Sequence, residues 1–196
     1  MYEKNKFRIM IFIYRIILKI HTTYQYLIKR IYLKICIAKG LKVGKNVRFV
    51  EVPELGTEPF LIEIGDETTL SNNVRFINHD GGYNALHFFE KYKDVRAFGR
   101  IKIGKQCFIG ADTIIMLGSE IGDNCVLGAG SILTSSMPNG TVYAGIPAKF
   151  ICTIEEYGDK ALKNNVMYPR ELELDRPKLE AYVKENLPHT YKPIKK

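Results

Sequence analysis

The chain has 196 residues, of which 46% are hydrophobic and 26% charged, a globular composition that supports a sizeable core and excludes wholesale disorder. Its formal net charge of +8 is unevenly placed, because residues 1–45 hold 11 Lys/Arg against Glu3 alone and the other residues are nearly neutral. A basic surface confined to one end does not predict a nucleic-acid-binding protein.

Residues 1–42 form a basic segment rich in Ile, Leu, Phe and Tyr. Lys and Arg recur at intervals that predict a pair of amphipathic helices with a basic stripe. The longest stretch without them, Ile20 to Ile28, is far short of the roughly 20 apolar residues that span a bilayer, and we expect no cleavable signal peptide. Two interpretations stay open: the helices pack against the body or a neighbouring subunit, or they lie on anionic lipid as a surface anchor.

A six-residue repeat runs through residues 43–153. Its aliphatic positions keep one register over a long stretch: Ile103, Ile109, Ile115, Ile121, Leu127 and Leu133. A period of six fits neither a helix nor a single strand, but it fits short strands joined by tight turns, three of which close a triangular coil of about 18 residues. Such coils stack and bury their aliphatic residues, so we expect a mainly β domain built as a parallel β-helix.

The cysteines fit the same coil. Cys107 and Cys125 are one coil apart and should stack in the same interior column as small buried hydrophobic residues. Neither they nor Cys36 and Cys152 show the spacing of a zinc site or a disulfide framework. Reduced thiols favour a cytoplasmic protein.

Two stretches should leave the coil. Residues 78–100 are too long for a turn and rich in aromatic residues, and Pro53–Pro59 is a second possible excursion. Beyond the repeat, residues 154–196 predict a C-terminal extension with helices around Glu155–Asn164 and Arg176–Asn186. A loose basic tail over Pro188–Lys196 should follow.

Residues 60–152, and most specifically 101–151 with the closing run Ala144-Gly145-Ile146-Pro147-Ala148-Lys149, resemble the hexapeptide-repeat acyltransferases. The nearest branch includes galactoside, maltose and nodulation-factor O-acetyltransferases and enzymes that modify capsule and lipopolysaccharide. The resemblance implies a left-handed parallel β-helix, acetyl-CoA as acyl donor, no metal, and a homotrimer with active sites between subunits.

The resemblance aligns His79 with the family's general base. A sugar hydroxyl is a poor nucleophile, and an imidazole can take its proton as the oxygen attacks the thioester. The alternative is that His79 only caps a turn beside Gly81-Gly82. Asn78, Asp80 and His87 are candidates to orient the base or contact the acceptor, although Asp80 could equally cap the loop. His87 could instead pack among the aromatic residues that follow it.

The resemblance also implies a set of acetyl-CoA contacts: Phe108, Gly110, Ala111, Ala129, Thr134 and Lys149. A backbone N–H near Gly110-Ala111 would stabilise the tetrahedral oxyanion. Lys149 suits the 3′-phosphate of CoA, its alternative being a solvated surface lysine. The family often has Trp at Phe108 and a basic residue at Ser135, which implies a weaker or differently placed grip on CoA.

Together these features predict an acetyl-CoA-dependent O-acetyltransferase acting on a saccharide hydroxyl, with surface polysaccharide as the expected product. The alternatives are an N-acetyltransferase of a nucleotide-linked amino sugar and a non-catalytic β-helix scaffold or binding module. A γ-type carbonic anhydrase needs three histidines around zinc, which the repeat lacks. The basic N-terminus adds possible peripheral contact with the inner face of the membrane.

Overall fold

The structure, a computed structural model, describes residues 2–164 and 167–187. It begins with one helix, α1 (Tyr2–Ala38), of 37 residues. The predicted pair of helices is therefore wrong, because no Gly or Pro interrupts the chain before Gly40. There Gly40, at φ +101°, ends the helix, and Leu41 N–H donates to Cys36 O at 3.0 Å. Within the described ranges, no helix has the length and apolar character needed to span a bilayer.

Short strands of two to six residues make up the body of the chain. They are β1 (Lys42–Val43), β2 (Arg48–Phe49), β3 (Ile62–Ile64), β4 (Thr69–Leu70), β5 (Arg75–Ile77), β6 (His79–Asp80), β7 (Ala97–Phe98), β8 (Ile101–Ile103), β9 (Phe108–Ile109), β10 (Ile114–Met116), β11 (Glu120–Ile121), β12 (Val126–Leu127), β13 (Ile132–Leu133), β14 (Thr141–Gly145) and β15 (Ala148–Thr153).

The strands form three parallel faces that the chain visits in turn. Face A has the order β1-β3-β8-β11, face B has β2-β4-β9-β12-β14, and face C has β5-β10-β13. On face B, β15 adds to β14 in the antiparallel sense and closes the stack. The parallel β-helix predicted from the repeat is confirmed.

The faces meet at corners that matter for the site. The B/C corner comprises residues 110–113 and 128–131, which connect strands of face B to strands of face C. The C/A corner comprises residues 78–100 and 117–119, which connect face C to face A. The B/C and C/A corners are thus the two opposite edges of face C.

The predicted aliphatic positions fill the interior. The six residues from Ile103 to Leu133 that share the repeat register are each at most 1% exposed. Cys107 and Cys125 are buried in the same interior, where Cys107 Sγ donates to Gly122 O at 3.0 Å. Burial raises the pKa of the Cys107 thiol to about 11, so this thiol stays protonated.

Turn chemistry explains the polar positions of the repeat. Six non-glycine residues have φ between +53° and +60°, and four of them are Asn or Asp, which tolerate this left-handed region: Asn46, Asn73, Asp112 and Asn124. Glu67 and Gln106 occupy the same position without that preference. The coils also approach closely, since a Cβ on Gly65 would lie 2.5 Å from Gly104 O.

The remaining elements lie outside the prism. Short 3₁₀ helices span Pro59–Leu61, Gly81–Leu86, Glu90–Tyr92 and Arg170–Leu174. The predicted C-terminal helices are present as α2 (Ile154–Asn164) and α3 (Arg176–Asn186), and the predicted tail over Pro188–Lys196 lies outside the described residues. The possible excursion at Pro53–Pro59 leaves the prism only after Leu55, because Glu54 still bridges to Arg75 of β5 and Leu55 is buried.

Candidate active site

His79 stands where the chain leaves face C. It follows β5 closely and begins β6, whose antiparallel pairing with β7 sets His79 opposite Phe98. The centroids of the two rings are 6.2 Å apart, and 45% of the His79 side chain is exposed. The imidazole is therefore held by a rigid scaffold on one side and open to a bound molecule on the other.

The imidazole has an acidic partner from a distant part of the chain. Glu58 Oε2 lies 2.8 Å from His79 Nδ1, and the Thr57 hydroxyl donates to Glu58 Oε1 at 2.7 Å. The hydrogen bond from Thr57, followed by the one from His79, holds the pKa of the Glu58 carboxyl below its usual range. An ionised carboxylate can only accept, so the neutral imidazole carries its proton on Nδ1 and keeps a lone pair on Nε2.

Asn78 positions this pair from inside the molecule. Its side chain is fully buried, and Nδ2 donates to Leu55 O at 3.3 Å and to Glu58 O at 2.9 Å. Gly56, at φ +66°, passes so close that a Cβ there would lie 2.8 Å from Asn78 Oδ1. Asn78 thus fastens the segment that carries Glu58, and its burial removes it from the candidates for direct acceptor contact.

Asp80 and His87 have other partners. Asp80 Oδ1 accepts from Gly82 N at 2.8 Å and so caps the 3₁₀ helix Gly81–Leu86. This is the loop-capping role that was the alternative for Asp80. His87 Nε2 lies 2.7 Å from Arg96 Nη1, and since guanidinium can only donate, this ring nitrogen accepts. Both residues belong to the excursion 78–100, but neither contributes a recorded hydrogen bond to His79.

Glu58 was missed by reasoning from the sequence. It is 21 residues from His79, outside the repeat, and nothing in the six-residue pattern marks it. The one usable signal was the interruption at Pro53–Pro59, which showed that a second non-repeat segment precedes the His79 excursion. Only the fold shows that the two segments meet.

The predicted acetyl-CoA contacts lie mainly along the B/C corner. Gly110 and Ala111 stack on Ala129 of the next coil, where Gly130 N donates to Ala111 O at 2.8 Å. Phe108 points outward from face B and is 46% exposed. Beyond Ala129 the stack continues to Ala144 of β14, which pairs with the exposed Lys149 of β15. These residues therefore form one line across neighbouring strands.

Thr134 is apart from that line. It follows β13 and lies at the C/A edge of face C, the same edge that His79 occupies two strands away. His79 and Ala111 are at opposite edges of face C. A single chain therefore does not bring the candidate base together with the corner predicted to hold the thioester.

The outer surfaces of the faces differ in chemistry. Face A exposes a column of alternating charge, in which Lys42 pairs with Glu63 at 3.3 Å and Lys102 with Glu120 at 2.8 Å. Face C instead presents, beside the exposed Arg75, mostly half-buried apolar side chains: Ile77, Ile114, Met116 and Ile132. Face A is suited to solvent, whereas the outer side of face C is suited to contact with another surface.

No group of three or more His, Cys, Asp or Glu within the described ranges is placed to hold a metal ion.

Comparison with known proteins agrees with this architecture. Residues 100–135 match the family described as hexapeptide repeat of succinyl-transferase. The chain is 41% identical over 142 residues to Protein CapG of Staphylococcus aureus, a match that covers 71% of this chain and 81% of CapG. It is 34% identical over 99 residues to galactoside O-acetyltransferase of Escherichia coli K12, covering 50% of this chain and 47% of that one.

Among solved structures, a maltose O-acetyltransferase from Clostridium difficile 630 aligns with a TM-score of 0.49 at 22% identity, covering 67% of this chain and 84% of that one. The six-residue repeat, the three parallel faces and the extended match to CapG lead to one assignment. The chain belongs to the hexapeptide-repeat acyltransferase family.

Proposed function

We propose that this acyltransferase moves an acetyl group from acetyl-CoA to a hydroxyl of a saccharide, with His79 as general base. The observation that carries the proposal is the hydrogen bond of 2.8 Å between Glu58 Oε2 and His79 Nδ1. It gives the imidazole of His79 the tautomer that a base needs. Galactoside O-acetyltransferase, a relative over half of this chain, is named for the same reaction class.

The chemistry follows from that tautomer. His79 Nε2 takes the proton of the acceptor hydroxyl while its oxygen attacks the thioester carbon, and the Glu58 carboxylate stabilises the imidazolium that forms. Collapse of the tetrahedral intermediate forms the ester and breaks the C–S bond. The imidazolium then returns its proton to the departing thiolate, so the base is regenerated without any other group.

A backbone donor for the oxyanion is available at the B/C corner. Gly110 N–H is already used, because it donates to Leu127 O at 2.8 Å. Ala111 N–H has no recorded acceptor within the described part of the chain. Ala111 is therefore the better candidate of the two for the oxyanion or for a carbonyl of the pantetheine arm.

The site requires a second subunit. His79 and Ala111 lie at opposite edges of face C, so the two halves can meet only if His79 of one chain faces the B/C corner of another. The apolar outer side of face C supplies a surface for such a contact, and a three-fold ring closes it with identical interfaces. We therefore infer a homotrimer with three sites.

Lys149 fits the far end of acetyl-CoA. It lies past Ala111, Ala129 and Ala144 in the line across face B, and the described residues place no carboxylate in an ion pair with it. An exposed, unpaired ammonium group at the end of a row of small residues suits the 3′-phosphate.

Replacing His79 tests the reaction class and the base together. His79→Ala should lower kcat for acceptor-dependent thiol release from acetyl-CoA by about 10²–10⁴-fold, because the general base is lost. The matched control is His87→Ala in the same excursion, which should retain most of the rate. Full turnover by His79→Ala, or no acetyl-CoA binding and no turnover by the unmodified chain with any sugar, would contradict the proposal.

Measuring kcat and KM separately distinguishes a role of Glu58 in the reaction from a role in folding. Glu58→Gln should lower kcat by at least about tenfold, since a neutral amide neither fixes the tautomer nor stabilises the imidazolium, and should leave KM for acetyl-CoA unchanged. Glu58→Asp should recover part of the rate. The exposed Glu63→Gln on face A serves as control, and equal rates for both Gln variants would exclude this role for Glu58.

The contact of Lys149 is tested with a substrate that lacks the phosphate. Lys149→Gln should raise KM for acetyl-CoA by about tenfold, the size expected for one charge-assisted hydrogen bond. With 3′-dephospho-acetyl-CoA the unmodified chain and the variant should give the same KM. If Lys149→Gln raises KM equally for acetyl-CoA and for 3′-dephospho-acetyl-CoA, Lys149 does not contact the 3′-phosphate. Lys102→Gln on face A provides the control for lost surface charge.

Shared sites predict complementation between two inactive variants. His79→Ala and Ala111→Trp each remove one half of every site, so either variant alone should be inactive. Co-expressed in equal amounts, they should recover about a quarter of the unmodified activity, because that fraction of all interfaces in randomly mixed trimers combines an intact His79 with an intact Ala111. No recovery in mixed trimers isolated by two affinity tags would place the whole site within one chain.

A further inference from the structure

The helix α1 is exposed on every side over residues 10–28, and its exposed apolar side chains include one continuous stripe. Seven residues recur at spacings of three and four and form what we call the outer stripe: Met10, Ile13, Ile17, Ile20, Tyr24, Leu27 and Ile31. Each is between 46% and 65% exposed. A continuous exposed stripe of this size on a folded protein marks a surface that something else covers.

The body of the chain does not cover the outer stripe, because α1 is fixed to the body by a different side. Lys29 forms an ion pair with Glu51, the Tyr32 hydroxyl accepts from Leu55 N at 3.1 Å, and Cys36 is buried in the core. At 3.6 residues per turn these residues lie on one side of the helix and the outer stripe on the side away from them. The helix therefore presents the stripe outward.

The charge of the helix identifies the occupant. No acidic residue lies between Glu3 and Glu51, and three described cations of α1 follow one edge of the outer stripe, Lys19, Arg30 and Lys34, while Arg15 lies on the opposite side of the helix. An apolar side bordered by Lys, Arg and Tyr is the arrangement of helices that lie in a lipid interface, with long cationic side chains reaching the phosphate groups.

A second copy of the chain fits this surface less well. In a three-fold assembly the α1 helices would run parallel, and a coiled coil along the stripe would bring cations from each chain together at its flanks. With no acidic residue on the described helix beyond Glu3, those cations would have no partner from another α1. Like charge thus disfavours helix-to-helix pairing and favours an anionic surface.

We propose that α1 docks on a lipid bilayer that contains anionic lipid, with the outer stripe in the headgroup boundary and the basic edge on phosphates. The same helix holds the segment that carries Glu58, through Tyr32 to Leu55 and Lys29 to Glu51. Docking would place that segment within about one helix diameter, roughly 10 Å, of the bilayer surface. This inference does not depend on the acyl-transfer chemistry.

The full chain is tested by sedimentation with vesicles of phosphatidylcholine mixed with phosphatidylglycerol and, separately, of phosphatidylcholine alone. It should bind the anionic vesicles, bind the neutral ones much more weakly, and dissociate as salt is raised. Ile17→Gln should weaken partitioning by about tenfold, because a buried Ile side chain is lost from the apolar boundary. Each of Lys19→Gln and Lys34→Gln should weaken it about fivefold.

Thr22→Gln is the matched control, since it introduces the same side chain on the same helix away from the outer stripe, and it should bind as the unmodified chain does. Ile20→Gln repeats the stripe test if Ile17→Gln fails to fold. Equal binding to both vesicle types, no binding to either, or an unchanged Ile17→Gln would overturn the proposal. Thiol release measured without vesicles reports on the proposed function separately, so failure of the membrane-docking proposal is distinguishable from failure of the proposed acetyl transfer.

Discussion

Parallel pairing of each coil with the next is the interaction on which the rest of the structure depends. The register is continuous from Arg48 through Thr69, Phe108 and Val126 to Val142 on face B, so every turn stacks on the turn of the neighbouring coil. Short strands have little stability singly, and stacking supplies both the backbone partners and the buried aliphatic columns. Stacking also aligns the backbone groups of successive corners in fixed rows.

Because the corners are fixed, a small residue there can contribute more to the candidate site, by leaving the backbone accessible, than a residue with a reactive side chain. A Cβ on Gly110 would lie 2.7 Å from Ala129 Cα, so the two coils are in contact at this point and the row cannot shift. Ala111 and Ala129 then present backbone rather than side chains to whatever lies along the corner. The excursion 78–100, freed from this packing, carries His79 out from the prism, where in the proposed trimer it would face the corner of another chain.

The repeating part of the fold could be predicted from the sequence, whereas the parts outside the repeat could not be predicted fully. The aliphatic register predicted the interior because a residue such as Ile115 has the same environment as Ile109, one turn earlier. The predicted pair of helices in residues 1–42 was wrong because basic residues interrupt the apolar pattern, but no Gly or Pro before Gly40 interrupts the helix. The Glu58–His79 pair could not be predicted, since it depends on a buried Asn78 joining two segments outside the repeat.

Asn78 links the Glu58–His79 pair to the prism, and α1 links the pair to the rest of the chain. The segment between Pro53 and Leu61 is bonded on one side by Asn78, to Leu55 O and Glu58 O, and on the other by Tyr32 of α1, at Leu55 N. Leu55 therefore has its carbonyl held by Asn78 and its amide held by the N-terminal helix. Leu55 thus connects α1 to the Asn78 loop, and Glu58, which holds His79, follows it in the same segment. The orientation of the His79 imidazole is thus a property of three elements far apart in sequence, which is why neither the repeat nor the excursion alone determines it.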